Sequence, residues 1–161
     1  MKLEKFDETD EDLYSRLVFN EETMKMNLGR VFTEEEAQMF FRAVLEMNAT
    51  ESCLGYYKVL ISREGKITYI GMGAINYNEE YEAVEIEYML LPEYWNQGYG
   101  TELVEILIKM VSDARVSSSI IAISDPANSY SQRILVKKGF EFVKRYLNSD
   151  GELADLYCRE V

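Results

Sequence analysis

A chain of 161 residues is the size of one domain, long enough to bury roughly 68–70% of the surface its unfolded form exposes. Its hydrophobic share of 47% and charged share of 29% exclude a disordered chain, and no run approaches the roughly 18 unbroken apolar residues of a membrane span. The 29 acidic against 17 basic residues, a net charge of −12, argue against a nucleic-acid binder, and the lack of any histidine removes the Ser-His-Asp triad, the Cys-His pair and the usual zinc sites, so no metal is expected.

Along the chain, Leu3-Glu4-Lys5-Phe6 reads as a short strand and Asp7 to Asn20 as a helical stretch with Leu13, Leu17 and Val18 on one side. The opening Met1-Lys2-Leu3-Glu4-Lys5 has no apolar signal region, so a cytoplasmic protein is expected. Thr33-Glu34-Glu35-Glu36 has the form of a capping box, and Ala37, Phe40, Phe41, Val44 and Leu45 follow at helical spacing to about Met47.

The period then changes. Leu54 to Ser62 and Ile67 to Tyr77 are rich in Tyr, Ile and Val, with a hairpin turn at Arg63-Glu64-Gly65-Lys66. Ala83 to Leu91 is a third strand joined through Asn78-Glu79-Glu80, so an antiparallel meander is expected. Cys53 and Cys158 each fall in an apolar, strand-like run far from metal-type spacing, and both are expected to be buried small hydrophobes.

Pro92 closes the third strand and Gly98-Tyr99-Gly100-Thr101 opens a helix carrying Leu103, Ile106, Leu107, Met110 and Val111. Ser118 to Ile123 is the next strand, which predicts a parallel strand-helix-strand crossover. A short helix from Asn128 to Lys138 follows, then strands at Phe140 to Tyr146 and Leu153 to Cys158 around Asn148-Ser149-Asp150-Gly151. The expected fold is one α+β domain over residues 1–161, a mixed sheet with flanking helices and no internal repeat or linker.

Two glycines between a strand and a helix permit positive φ and let a ligand approach without a Cβ in its way. The free amides of a first helical turn then form an anion site, and a pyrophosphate fits that physics. A lone Gly-x-Gly is also an ordinary turn. The surrounding Pro92-Glu93-Tyr94-Trp95-Asn96-Gln97-Gly98-Tyr99-Gly100-Thr101-Glu102, however, resembles motif A of the GNAT acetyltransferases. Trp95, where most of that superfamily carries Arg or Gln, resembles the branch of ribosomal-protein N-terminal acetyltransferases. Asn128-Ser129-Tyr130-Ser131-Gln132-Arg133-Ile134-Leu135-Val136-Lys137-Lys138-Gly139-Phe140 is similar to motif B of the same branch.

The resemblance implies a GNAT-like sheet whose two central parallel strands splay apart at their C-terminal ends to take acetyl-CoA as cosubstrate. It implies that Met89, Leu90 and Leu91 pair with the pantetheine arm, and that the amides of Gln97, Gly98, Tyr99, Gly100 and Thr101 hold the pyrophosphate. Asn128 and Ser131 would face the thiol end. Lys137 would reach a CoA phosphate, unless it is simply a solvated helix position.

The reaction it implies is direct attack of a neutral amine on the thioester. Glu85 and Glu87, two apart on a strand, point to one face; Glu85, in the pattern Glu85-Ile86-Glu87-Tyr88, resembles a position where some members carry the base, and both can equally be solvent-facing positions of an alternating strand. Where many members place an acidic tyrosine, this chain has Leu135, so Ser131, or less directly Tyr130, is left to protonate the leaving thiolate, and Ser131 can equally be a hydroxyl that stabilises the helix or positions CoA with no proton role. The acidic composition favours a cationic acceptor, and a protein N-terminus, a polyamine or another small amine, and an aminoglycoside-like antibiotic all stay open. A catalytically inactive CoA-binding sensor stays open as a second reading, as does a homodimer. A dinucleotide-dependent oxidoreductase is disfavoured because the third glycine of its fingerprint is missing.

Overall fold

Alternating apolar residues through the middle of the chain and 3.6-period stripes at either end produce a twisted sheet with helices on both faces. The computed structural model describes residues 1–161. In chain order the elements are β1 (Lys2–Lys5), α1 (Glu11–Val18), α2 (Glu21–Lys25), α3 (Glu34–Asn48), β2 (Gly55–Arg63), β3 (Lys66–Asn78), β4 (Ala83–Leu90), α4 (Tyr99–Ala114), β5 (Ser119–Ser124), α5 (Ser129–Lys137), β6 (Glu141–Leu147) and β7 (Leu153–Glu160). The seven strands run in the order β1-β2-β3-β4-β5-β7-β6. Every neighbouring pair is antiparallel except β4 and β5, which are parallel as the crossover predicts.

On one face Leu103, Val104, Leu107 and Val111 of α4 are fully buried against Ile70, Ile75, Ile86 and Ile120, with Ile134 and Leu135 of α5 beside them. On the other, Tyr14 and Leu17 of α1 and Ala37, Phe41 and Val44 of α3 close over Phe6, Tyr69 and Met72. Burying a side chain of this size contributes about 1.5–3 kcal/mol, against about 1 kcal/mol for a helix cap, so packing decides where the helices lie and capping where they begin.

The capping box forms as expected: Glu36 N donates to Thr33 Oγ1 at 3.2 Å and Thr33 N donates to Glu36 Oε2 at 2.8 Å. The hairpin turn after β2 has positive φ at both Glu64 (52°) and Gly65 (75°), the geometry that matches strand twist.

Three local expectations are corrected. The first helix is shorter than Asp7 to Asn20, because side chains compete for the backbone at both ends. Asp7 N donates to Asp10 Oδ2 and Thr9 N to Asp7 Oδ1, and the buried Asp10 pairs with Lys58 at 2.7 Å. At the other end Asn20 caps a separate helix, α2, by accepting from Thr23 N at 2.9 Å. Cys53 lies in the bend before β2 rather than in a strand, its carbonyl accepting from the Tyr57 hydroxyl, and both cysteines are half-buried. No helix is long and apolar enough to cross a membrane.

Candidate active site

The parallel pair is short. β4 and β5 are in register only at Val84 with Ile120 and Glu85 with Ile121, and beyond those rungs the two strands part. The gap opens into a cavity of about 510 Å³, walled by the ends of both strands, the first turns of α4 and α5, and residues of α2.

Backbone direction at the end of β4 decides what faces this gap. Leu91 N donates to Ile70 O at 2.9 Å, and Leu91 O accepts from Tyr94 N, so Leu91 has no free backbone group. Antiparallel pairing alternates, which turns the Met89 backbone toward β3 as well and leaves Tyr88 and Leu90 facing the cleft. Of the expected Met89, Leu90 and Leu91, Leu90 turns its backbone toward the gap, with Tyr88 beside it, while Met89 contributes its side chain to the wall. The Leu90 carbonyl accepts from the Trp95 indole N–H at 2.7 Å, so the Leu90 amide is the group left toward the opening.

Trp95 thereby pins the glycine turn against the strand. Gly98 caps α4 with φ of 87° in the left-handed region, where a Cβ would meet no neighbour but would strain the backbone. Gly100 is different. Its backbone is helical, and a Cβ there would stand 2.9 Å from Ile134 Cδ1, so glycine lets α4 lie close to α5 without displacing the tip of that side chain, and its φ makes no demand for glycine. The amides of Gln97, Gly98, Tyr99, Gly100 and Thr101 have no partner, which leaves a row of donors at the positive end of α4.

Glu85 and Glu87 both line the cavity on the side of α1 and α2. Asn78 Nδ2 donates to Glu85 Oε2 at 2.8 Å and Asn76 Nδ2 to Glu87 Oε1 at 2.6 Å. Burial raises the Glu85 pKa against the pull of Asn78. Solvent reaches Glu87 through the open cleft, yet protein crowds it closely, and that desolvation pushes its pKa up to about 7. The negative charge of Glu85 adds to the rise and Asn76 opposes it.

On the opposite side of β4, the Tyr88 hydroxyl meets Ser131 Oγ at 2.6 Å. Burial lifts the Tyr88 pKa to about 12, with the Ser131 contact opposing. Asn128 accepts from Ser131 N at 3.0 Å and so caps α5, while its side chain also borders the cavity. Tyr130 lines the cavity, and Leu135 is fully buried in the core. Lys137 is exposed, outside the cavity wall, one turn beyond the Ile134 that touches Gly100.

Sequence reasoning placed Glu85, Glu87, Asn128 and Ser131 in one region, and the structure brings all four to one cavity. It missed Tyr88, Asn76, Glu22 and Asp125. The first two were hidden in ordinary strand alternation, and the other two belong to a helix and a loop whose place in the fold no local signal announced. No cluster of His, Cys, Asp or Glu could hold a metal ion.

A mixed sheet whose one parallel pair splays over a row of free helix-terminal amides defines an acetyltransferase-type fold. The sequence matches the acetyltransferase (GNAT) domain family over residues 1–141, and the chain belongs to that family. An uncharacterized N-acetyltransferase of Bacillus subtilis is 28% identical over 76 residues, a stretch that spans 45% of this chain and 43% of that relative. Among solved structures, a GNAT-family acetyltransferase from Bacillus anthracis superposes with a TM-score of 0.80 at 20% identity, covering 98% of this chain and 93% of the other. An aminoglycoside acetyltransferase in complex with coenzyme A and kanamycin gives 0.79 at 17% identity, covering 99% and 94%. A Salmonella typhimurium acetyl transferase that modifies the N-terminal serine of a 50S ribosomal subunit protein gives 0.77 at 17%, also covering 99% and 94%.

Proposed function

We propose that this protein transfers the acetyl group of acetyl-CoA to a primary amine on a cationic acceptor, by direct attack of the neutral amine on the thioester. One observation carries the acceptor class: Glu22, Glu85, Glu87 and Asp125 all line the cavity, and no lysine or arginine does. Such a wall attracts a molecule with positive charge beyond the reacting nitrogen and disfavours one bearing a nearby carboxylate. The Trp95 loop and the Asn128 to Phe140 segment support kinship with the ribosomal-protein N-terminal branch.

In this reading the amides from Gln97 to Thr101 hold the pyrophosphate and the Leu90 amide meets the oxyanion that develops on the thioester. Glu87 takes the proton of the attacking amine, because a carboxylate whose pKa is about 7 is both deprotonated and basic enough near neutrality. Burial holds that pKa high, and Glu85, two residues back on the same face, adds to the rise and to the field. As the new C–N bond forms and the C–S bond breaks, the Tyr88 and Ser131 hydroxyls are placed to supply the proton that the thiolate takes up.

Separate Glu85→Gln and Glu87→Gln variants test the roles. Loss of kcat with acetyl-CoA affinity intact marks the base, and a raised KM for the acceptor with kcat retained marks a contributor of charge. The assignment fails if Glu87→Gln turns over at the wild-type rate.

A further inference from the structure

We infer that Asn76 is a positioning residue for Glu87: its side-chain amide, held from behind by Tyr56, fixes that carboxylate at the acceptor end of the cleft. The inference rests on the reading of Glu87 as the base only for its kinetic half. The geometry crosses three strands. Asn76 Nδ2 lies 3.2 Å from the Tyr56 hydroxyl on β2 and 2.6 Å from Glu87 Oε1 on β4, so both of its donors are engaged. The register sets Asn76 directly opposite Glu85 and Ala74 opposite Glu87, so the bond to Glu87 is a diagonal one that only a side chain of this length and polarity makes.

Packing does not explain an asparagine here. Asn is depleted in strands, where Val, Ile or Thr fit better. The residue also carries an unmet demand, because Asn76 Oδ1 is buried and has no partner. Its neighbour on the same face provides the contrast. Asn78 also donates to a glutamate, but its Oδ1 accepts from Tyr81 N and helps close the β3–β4 turn. Asn76 has no such structural task, and its only polar bonds lead to Tyr56 and Glu87.

A donor aimed at a carboxylate oxygen favours the ionised form. That matters because everything else facing Glu87 opposes ionisation or is neutral. Glu85 stands on its own strand, Tyr14 reaches from α1 and Tyr56 from β2. Glu22, Asp125, Tyr88 and Tyr130 share the cavity, and no cation lines it. Without the Asn76 amide the carboxyl would keep its proton to higher pH and lose its fixed direction.

The test is the titration of Glu87 in the whole protein, followed by NMR of carboxyl-labelled glutamate and assigned with Glu87→Gln. In Asn76→Leu the midpoint should rise by about one pH unit or more, the loss of a hydrogen bond to a charged group. The acidic limb of kcat/KM should move up with it, while stabilisation by acetyl-CoA is unchanged. Asn76→Val, a good strand former, gives the same reading should the leucine not fold. A midpoint that stays at the wild-type value in a variant that still melts cooperatively overturns the inference. A midpoint that moves while the kinetic limb does not upholds Asn76 as the positioning residue and removes Glu87 as the base.

Discussion

The Tyr88 hydroxyl and Ser131 Oγ, 2.6 Å apart, join the end of β4 to the first turn of α5 across the mouth of the splayed strands. The core position held by Leu135 has no acid to offer, and in the proposed mechanism this hydroxyl pair, which lines the cavity, supplies the proton. Tyr88→Phe and Ser131→Ala are each expected to lower kcat about tenfold to a hundredfold, below the upper end of the ~10²–10⁴ typical of general acids because a thiolate leaves readily. The two changes should be non-additive, since the hydroxyls act as one unit. Steady-state kinetics of the double variant against the singles checks it, and full additivity would contradict the pairing.

The raised pKa of Glu87 also bears on stability. Its folded pKa of about 7 lies above the ordinary 4.5, so between those values the native state holds the proton more tightly than the unfolded chain. The stabilising contribution is complete below the unfolded value and is lost as pH rises through about 7. Glu87→Gln removes that loss: its melting temperature should exceed that of the wild type at pH 8 and show no such advantage at pH 4. Thermal melts at the two pH values decide, and identical differences at both would contradict the raised pKa.

The two glycines of the turn should respond differently. Gly98→Ala meets no atom but must hold a left-handed φ, at a cost of about 1–2 kcal/mol, so a lower melting temperature with a folded, CoA-binding protein is expected. Gly100→Val drives a branched side chain toward Ile134, prising α4 from α5 at the cavity wall. Its affinity for CoA should fall at least about tenfold, measured by calorimetry. Normal affinity in Gly100→Val would mean that the Ile134 side chain gives way and the wall of the cavity keeps its shape.

Much of this was readable in the sequence because the signals were local. The capping box at Thr33, the positive-φ turn at Gly65 and the apolar stripe of α4 each follow from neighbours within a few residues. The candidate site was readable only in part. Glu85 and Glu87 share a face by strand alternation alone, but Tyr88 meets Ser131 across 43 positions of chain, and Glu22 reaches the cavity from a five-residue helix that periodicity does not detect. Which backbone groups of β4 are free was equally hidden, since that depends on the register with β3 and on the Trp95 indole.

The most direct test of the account is thiol release from acetyl-CoA with matched primary amines: a diamine, a lysine-rich peptide and a neutral-bodied amine of similar basicity. The cationic acceptors should react with the higher kcat/KM, and their advantage should shrink about tenfold as ionic strength rises from ~0.01 M to ~0.1 M and the Debye length falls from about 30 Å to about 10 Å. Thiol release no faster than hydrolysis with every amine, or equal rates for cationic and neutral acceptors at low salt, would contradict it.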